Sequence, residues 1–206
     1  AYSDRNNNLR RMERFTFSSN IINCLNNDII KFLKEELGSD YVLFKDKVNF
    51  KPSGGEGFYA HYDGIFEFIT ESGAKKKGWY EYTDHFINVL VALDNFTLEN
   101  GALQIAPRHS GTFSELLLNT KCDGSPDLNT EVESSCEFEH ILVDSGDICV
   151  FDNKAPHKSS ANRSDSDRGS IYFTYTLSSA GNLYETYFKD KDKSKNPNKS
   201  LTGEQS

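Results

Sequence analysis

The hydrophobic positions change period once along this chain, and the change divides it. Ile22, Leu25, Ile29, Phe32, Leu33 and Leu37 recur every three to four residues, the spacing of one apolar helix face. Ser18 and Ser19 stand where an N-cap belongs, and Gly38 stands where a helix ends, so a single amphipathic helix is predicted between them. From Tyr41 onward the pattern turns to short apolar and β-branched runs separated by Gly, Asn, Asp and Pro. Strands are predicted at 41–50, around 61–63, through 65–69, and at 86–94, 102–106, 140–143, 148–151 and 170–177. The run 86–94 is apolar apart from Asn88 until it ends at Asp94, as suits a central strand covered on both faces.

Between these runs, 112–118 reads as a short helix, 119–136 as a long, polar, mobile loop, and Lys75–Lys77 as a solvated loop. Residues 1–14 are polar and charged, and 189–206 form a Lys- and Asn-rich peripheral tail. Eight or so short strands behind one helix, with no βαβ alternation and no internal repeat, predict a mainly β chain. Its core is an antiparallel double-sheet roll of the jelly-roll or cupin kind, with a flanking N-terminal α-helix, in one domain spanning 1–206.

Composition narrows the function classes. The hydrophobic fraction is 36%, but 13% of residues are aromatic, enough to fill a core with few, large side chains. A net charge of −8 argues against a nucleic-acid partner, and no apolar run approaches the roughly 20 residues that cross a bilayer. No signal peptide is visible, and the start at Ala1 without Met leaves room for a missing N-terminal segment. The four cysteines lack Cys-x-x-Cys spacing and so give no zinc signature. Cys24 and Cys149 are expected to be buried thiols. A Cys122–Cys136 bridge stays open against the default of reduced cysteines in a cytoplasmic protein. The sequence sets no oligomeric state.

The chemistry concentrates at 49–63, Asn-Phe-Lys-Pro-Ser-Gly-Gly-Glu-Gly-Phe-Tyr-Ala-His-Tyr-Asp. His61 and Asp63 are one residue apart, so on an extended strand both point to the same face. A Gly-rich loop before them lets backbone approach a small ligand closely. The pair alone is a weak motif; His157 and Arg168 give it weight. One His, a carboxylate two residues on and a distant second His make up the facial triad of non-haem Fe(II) oxygenases, which leaves open positions on the metal. The planar guanidinium of Arg168 can hold a carboxylate bidentately. A 2-oxoacid that chelates iron at one end and presents a carboxylate at the other suits both features.

These residues resemble the phytanoyl-CoA dioxygenase superfamily of Fe(II)- and 2-oxoglutarate-dependent oxygenases. The 49–63 run is similar to that of the ectoine-hydroxylating members, with a loop one residue shorter. Glu99–Ser110 resembles the family's Asn-Gly-x-Leu…Pro-Gly-Ser-His segment, with Arg108-His109 in place of Gly-Ser. Pro156–Ser164 and Arg168–Thr176 look like the phosphonate-hydroxylating members, and the match runs over roughly 41–177. The resemblance implies His61, Asp63 and His157 as iron ligands and Arg168 as the partner of the distal 2-oxoglutarate carboxylate. It further implies Ser159 and Asn49 as hydrogen-bonding companions, Phe58 packed on the co-substrate, and Asn88 as another contact.

The implied activity is oxidation of a substrate C–H bond using Fe(II), O2 and 2-oxoglutarate, with succinate and CO2 as co-products. Asp63 favours hydroxylation over halogenation, since halogenases of this group carry a small residue there. Desaturation and ring closure stay open as outcomes, and a non-catalytic cupin-like metal sensor is the rival of a different class. The substrate expected is a small polar amino-acid-derived, amine or phosphonate compound; a long acyl-CoA is disfavoured because no basic patch is evident. Trp79, Tyr80, Tyr82 and His85 are candidate substrate contacts at the pocket mouth, where aromatic rings would suit a cationic amine. His109 and His140 are not metal candidates.

Overall fold

A computed structural model describes residues 2–3, 9–70, 72–121 and 123–193. Twelve strands are present among them: β1 (Tyr2–Ser3), β2 (Leu9–Glu13), β3 (Tyr41–Lys51), β4 (Phe58–His61), β5 (Phe68–Ile69), β6 (Lys75–Lys76), β7 (Ile87–Ala92), β8 (Leu103–Ile105), β9 (Glu139–Ile141), β10 (Ile148–Asp152), β11 (His157–Ser159) and β12 (Arg168–Leu177). The α-helices are α1 (Asn20–Leu37), α2 (Phe113–Leu117), α3 (Thr130–Ser135) and α4 (Tyr184–Asp192). The major sheet runs β1-β2-β3-β12-β7-β10, and the minor sheet β4-β11-β8-β9. From β3 to β12 the chain crosses repeatedly between the two sheets, and every pairing is antiparallel. This is the double-stranded β-helix the sequence predicts. β5 and β6 form a separate hairpin.

The helix signals act as read. Ser19 caps α1 by accepting from the Ile22 N–H, and Gly38 closes it in the left-handed region at φ 71°. The buried face of α1 is Asn26, Ile29 and Leu33. Cys24 lies off that face and is exposed, which corrects the expectation of a buried thiol. Cys149 is half-buried, and Cys122 lies outside the described residues.

β3 and β12 pair over their whole lengths, with one bulge between Thr174 and Tyr175. β7 packs on the other side of β12, and all six of its residues are buried. Phe44 anchors the core: its ring meets Trp79, Phe86 and Tyr187 at centroid distances of 5.6, 4.9 and 4.6 Å, offset geometries that aromatic quadrupoles favour.

Three segments carry more structure than their composition suggests. Part of the polar N-terminal stretch is β2, which extends the major sheet by pairing with β3. The 119–136 stretch holds bridges from Thr120 to Leu128 and from His61 to Asp127, followed by α3. The tail expected from 189 begins inside α4, whose Tyr184, Tyr187, Phe188 and Lys191 are buried at helical spacing; 194–206 lie outside the described residues.

Asp46 ties the two ends of the chain to β3. It is fully buried and accepts from the backbone N–H groups of Arg14, Phe15 and Thr16, the Thr16 hydroxyl and the Tyr184 hydroxyl. Arg14 adopts φ 64° there, a conformation that costs energy for a non-glycine residue and needs such anchoring. Removing the carboxylate orphans several buried donors at once. Asp46→Ala should therefore lower stability by about 3 kcal/mol or more in urea unfolding. A loss under about 1 kcal/mol would show that the five contacts are dispensable.

Candidate active site

His61 closes β4 and His157 opens β11, and the two strands pair with these residues opposite each other. Asp63 follows two residues after His61, where its N–H donates to the Asn153 carbonyl and its own carbonyl accepts from the Asn153 amide. One ligand atom from each of His61, Asp63 and His157 lies within 4.8 Å of the others. The imidazole rings sit 4.2 Å apart between centroids, and His157 Nε2 is 3.6 Å from Asp63 Oδ2.

The ring orientations are fixed from behind. His61 Nδ1 is 2.7 Å from the Tyr59 carbonyl, and His157 Nδ1 is 3.0 Å from the Ala155 carbonyl. A carbonyl only accepts, so both Nδ1 atoms carry the proton and both Nε2 lone pairs face the cavity. Asn88 donates to Asp63 Oδ2 at 2.9 Å, while its own Oδ1 accepts from the Thr174 hydroxyl. Burial and then the neighbouring His61 push the pKa of His157 down to about 3, and burial lowers that of His61. Burial would raise Asp63, but Lys47, His157 and His61 hold it ionised well below the usual carboxylate range. Two neutral imidazoles and a carboxylate, each oriented by an outer partner, suit a divalent first-row cation such as Fe(II).

The cavity in front of this triad is walled by β3 and β12. Lys45, Lys47, Asn49 and Lys51 occupy alternate positions on β3 and all line it. Opposite them in register stand Arg168, Ser170 and Tyr172 of β12, which line it too. Arg168 is 5% exposed. Its Nε and Nη2 donate to the Asn100 and Gly101 carbonyls, its guanidinium stacks 3.9 Å from the Phe96 ring centroid, and its Nη1 is buried without a hydrogen-bond partner. A buried orphan donor on a cation fits an incoming carboxylate. Lys51 lies beside it, donating to the Ser159 hydroxyl and to the Ser160 and Gly101 carbonyls; burial and then Arg168 push its pKa down to about 7. Two glycines permit this crowding. A Cβ on Gly57 would strike the Ser159 carbonyl, and one on Gly101, which adopts φ 70°, would strike the Ser160 carbonyl.

The structure therefore gathers His61, Asp63, His157, Arg168, Ser159, Asn49 and Phe58 around one cavity. Asn88 is adjacent, with its amide directed to Asp63. Of the four candidate substrate contacts, Trp79 lines the cavity and is 2% exposed. Tyr80 packs on Phe113 and bonds Asn153, Tyr82 donates to Asp190, and His85 meets the Tyr41 hydroxyl; none of the three lines the cavity. His109 bonds the Tyr62 hydroxyl and His140 is exposed. Sequence reasoning missed Lys45, Lys47, Lys51 and Arg11. The usable signal was the period-two alternation of Lys45, Lys47, Asn49 and Lys51, which on a strand means one face.

Replacing His61, Asp63 or His157 by Ala should each abolish stoichiometric Fe(II) binding in anaerobic calorimetry while the far-ultraviolet spectrum stays native. Asn88→Ala should weaken iron by about 10–100-fold, the range for loss of a partner that orients a ligand. Wild-type iron affinity in any of the three ligand variants would remove that residue from the set.

The phytanoyl-CoA dioxygenase (PhyH) family pattern matches residues 3–170. The 2-aminoethylphosphonate dioxygenase of uncultured bacterium HF130_AEPn_1 is 32% identical over 163 residues, covering 79% of this chain and 56% of that protein. The methylphosphonate hydroxylase of Gimesia maris is 31% identical, covering 77% and 54%. The chain thus spans about half the length of the curated relatives it matches. In fold it is similar to EctD from S. alaskensis, crystallised with 2-oxoglutarate and 5-hydroxyectoine, at TM-score 0.62 and 18% identity over 84% of this chain and 58% of that one. With the family pattern matched over most of its length, the chain belongs to the phytanoyl-CoA dioxygenase family of Fe(II)- and 2-oxoglutarate-dependent oxygenases.

Proposed function

We propose that this chain is an Fe(II)- and 2-oxoglutarate-dependent dioxygenase that oxidises a C–H bond of a small polar molecule, with hydroxylation as the outcome. The observation that carries the reading is Arg168, whose buried, unpartnered Nη1 shares one cavity with the His61–Asp63–His157 triad. A protein that only bound metal would have no use for a desolvated guanidinium beside it. When bound, iron with O2 and 2-oxoglutarate supplies the oxidising power, and succinate and CO2 are the co-products.

The side chains divide the remaining work. His61, Asp63 and His157 would hold the metal, and Asn88, donating to Asp63 Oδ2, orients that carboxylate. Arg168, through its unpartnered Nη1, would receive the distal carboxylate of the co-substrate; Lys51, its donors already engaged, would add positive charge beside it, and Phe58, whose ring centroid is 5.7 Å from Lys51 Nζ, would cover it. Trp79 and Tyr172 keep water from the cavity walls, which strengthens every charge interaction inside. A carboxylate at position 63 fills a coordination site that halide would otherwise need. No helix among the described residues is long and apolar enough to cross a membrane, and free thiols at Cys24, Cys136 and Cys149 accord with a cytoplasmic setting.

The test is substrate-dependent succinate formation over a panel of small amines, amino acids and phosphonates, paired with titrations of Arg168 variants. Arg168→Ala removes one member of a desolvated charge pair, a change worth about 2–5 kcal/mol, so 2-oxoglutarate should bind at least about tenfold more weakly. Arg168→Lys keeps charge but loses the planar fork and should fall between. Iron affinity should be unchanged in both, since Arg168 is not a metal ligand. Unchanged 2-oxoglutarate affinity in Arg168→Ala would defeat the co-substrate clamp.

A further inference from the structure

Lys45 and Lys47 are neither in the candidate metal-ligand set nor in the co-substrate clamp. They stand two residues apart on β3, project from one face, and line the cavity where β3 pairs with Tyr172 and Thr174, while Lys51 lines it opposite Arg168. Lys47 is four residues from Lys51, about 13 Å along the strand, too far for both to hold one carboxylate. Lys45 is 2% exposed. Neither ammonium has a hydrogen-bond acceptor among the described residues; instead Lys45 Nζ sits 4.8 Å from the Trp79 ring centroid, and Lys47 Nζ sits 4.8 Å from that of Tyr172. Arg11 of β2 also lines this wall, with its Nε on the Asn49 carboxamide oxygen.

Two carboxylates act on this pair through space, and each also has another partner. Asp63 belongs to the metal set, and Glu13 is bonded by Lys191. Burial pushes the pKa of Lys47 down to about 8 and lowers that of Lys45, even though Asp63 and Glu13 act to raise both. Ring faces attract cations but accept no strong hydrogen bond, so both ammoniums line the cavity without a protein acceptor among the described residues. A cationic amine placed against them would meet like charge, which works against the expectation that the aromatic residues select an amine.

From this we infer that Lys45 and Lys47, backed by Arg11, form an anion subsite that seats the charged head of the substrate, and that this head is a small oxyanion of the phosphonate type. The inference rests on the dioxygenase reading for what happens beyond the head group: a group held at this wall presents its carbon substituent toward the triad. A tetrahedral dianion matches two ammoniums in both charge and acceptor number.

The experiment uses the full chain loaded with Mn(II) and saturating 2-oxoglutarate, so that added anions cannot simply occupy the Arg168 end. Calorimetric titrations compare methylphosphonate, inorganic phosphate and ethylamine in wild type, Lys47→Met, Lys47→Arg and Lys45→Met. Wild type should bind methylphosphonate about tenfold or more tightly than ethylamine. Lys47→Met should weaken it about tenfold or more, Lys47→Arg should retain most of the affinity, and 2-oxoglutarate binding should stay within about twofold of wild type. Lys45→Met should behave alike, with thermal melting confirming that it folds. Phosphate binding in place of methylphosphonate would keep the oxyanion subsite and overturn the phosphonate assignment. Equal methylphosphonate affinity in wild type and Lys47→Met, preference for ethylamine, or loss of 2-oxoglutarate binding in Lys47→Met would overturn the subsite. Wild type that binds methylphosphonate but no 2-oxoglutarate would retain the subsite and overturn the dioxygenase reading instead.

Discussion

The register of β3 against β12 is the constraint on which the site depends. It turns Lys45, Lys47, Asn49 and Lys51 inward together, opposite Arg168, Ser170 and Tyr172. A slip of one residue would turn all of them to the other face. Desolvating a cation costs several kcal/mol even after the surroundings relax, and this cavity desolvates several at once. Asp63 and the aromatic faces offset only part of that cost. An acidic chain with a net charge of −8 thus places several of its cations around one cavity, the arrangement expected where the missing negative charge arrives with ligands.

One of these cations, Lys47, also bears on the candidate metal site. Lys47 and the two histidines hold Asp63 ionised against its burial, so the carboxylate is ready for a cation without first losing a proton. The minor sheet contributes both histidines through the β4–β11 pair, and the major sheet contributes Asn88, which reaches across to Asp63. Neither sheet completes the site alone. Gly57 and Gly101 matter because they let the Ser159–Ser160 backbone close over Lys51 without a Cβ in the way.

Much of this was legible in the sequence, for physical reasons that also explain the gaps. The spacing of His61 and Asp63 carries its meaning locally, since strand geometry alone puts both on one face. α1 was legible because its apolar period is long and capped at both ends. α4 was hidden because charged residues surround its buried Tyr184, Tyr187 and Phe188. β2 was hidden because the side chains it buries include Arg10 and Arg11, which hydropathy places at the surface. Lys45 and Lys47 escaped for the same reason: alternating lysines on a strand usually mark a solvated face, and only the pairing with β12 shows that this face is interior. Asn88 was recognised as a polar exception inside an apolar strand, but its partner, 25 residues away in Asp63, needed the fold.

The most direct measurement of the central claim is the visible spectrum of the anaerobic protein. A 2-oxoacid that chelates Fe(II) through its keto and carboxylate oxygens produces a charge-transfer band that neither component shows alone. Adding 2-oxoglutarate to the Fe(II)-loaded protein should raise this band with one-to-one stoichiometry, and succinate, which lacks the keto group, should not. Absence of the band in protein that has demonstrably bound iron would contradict the account.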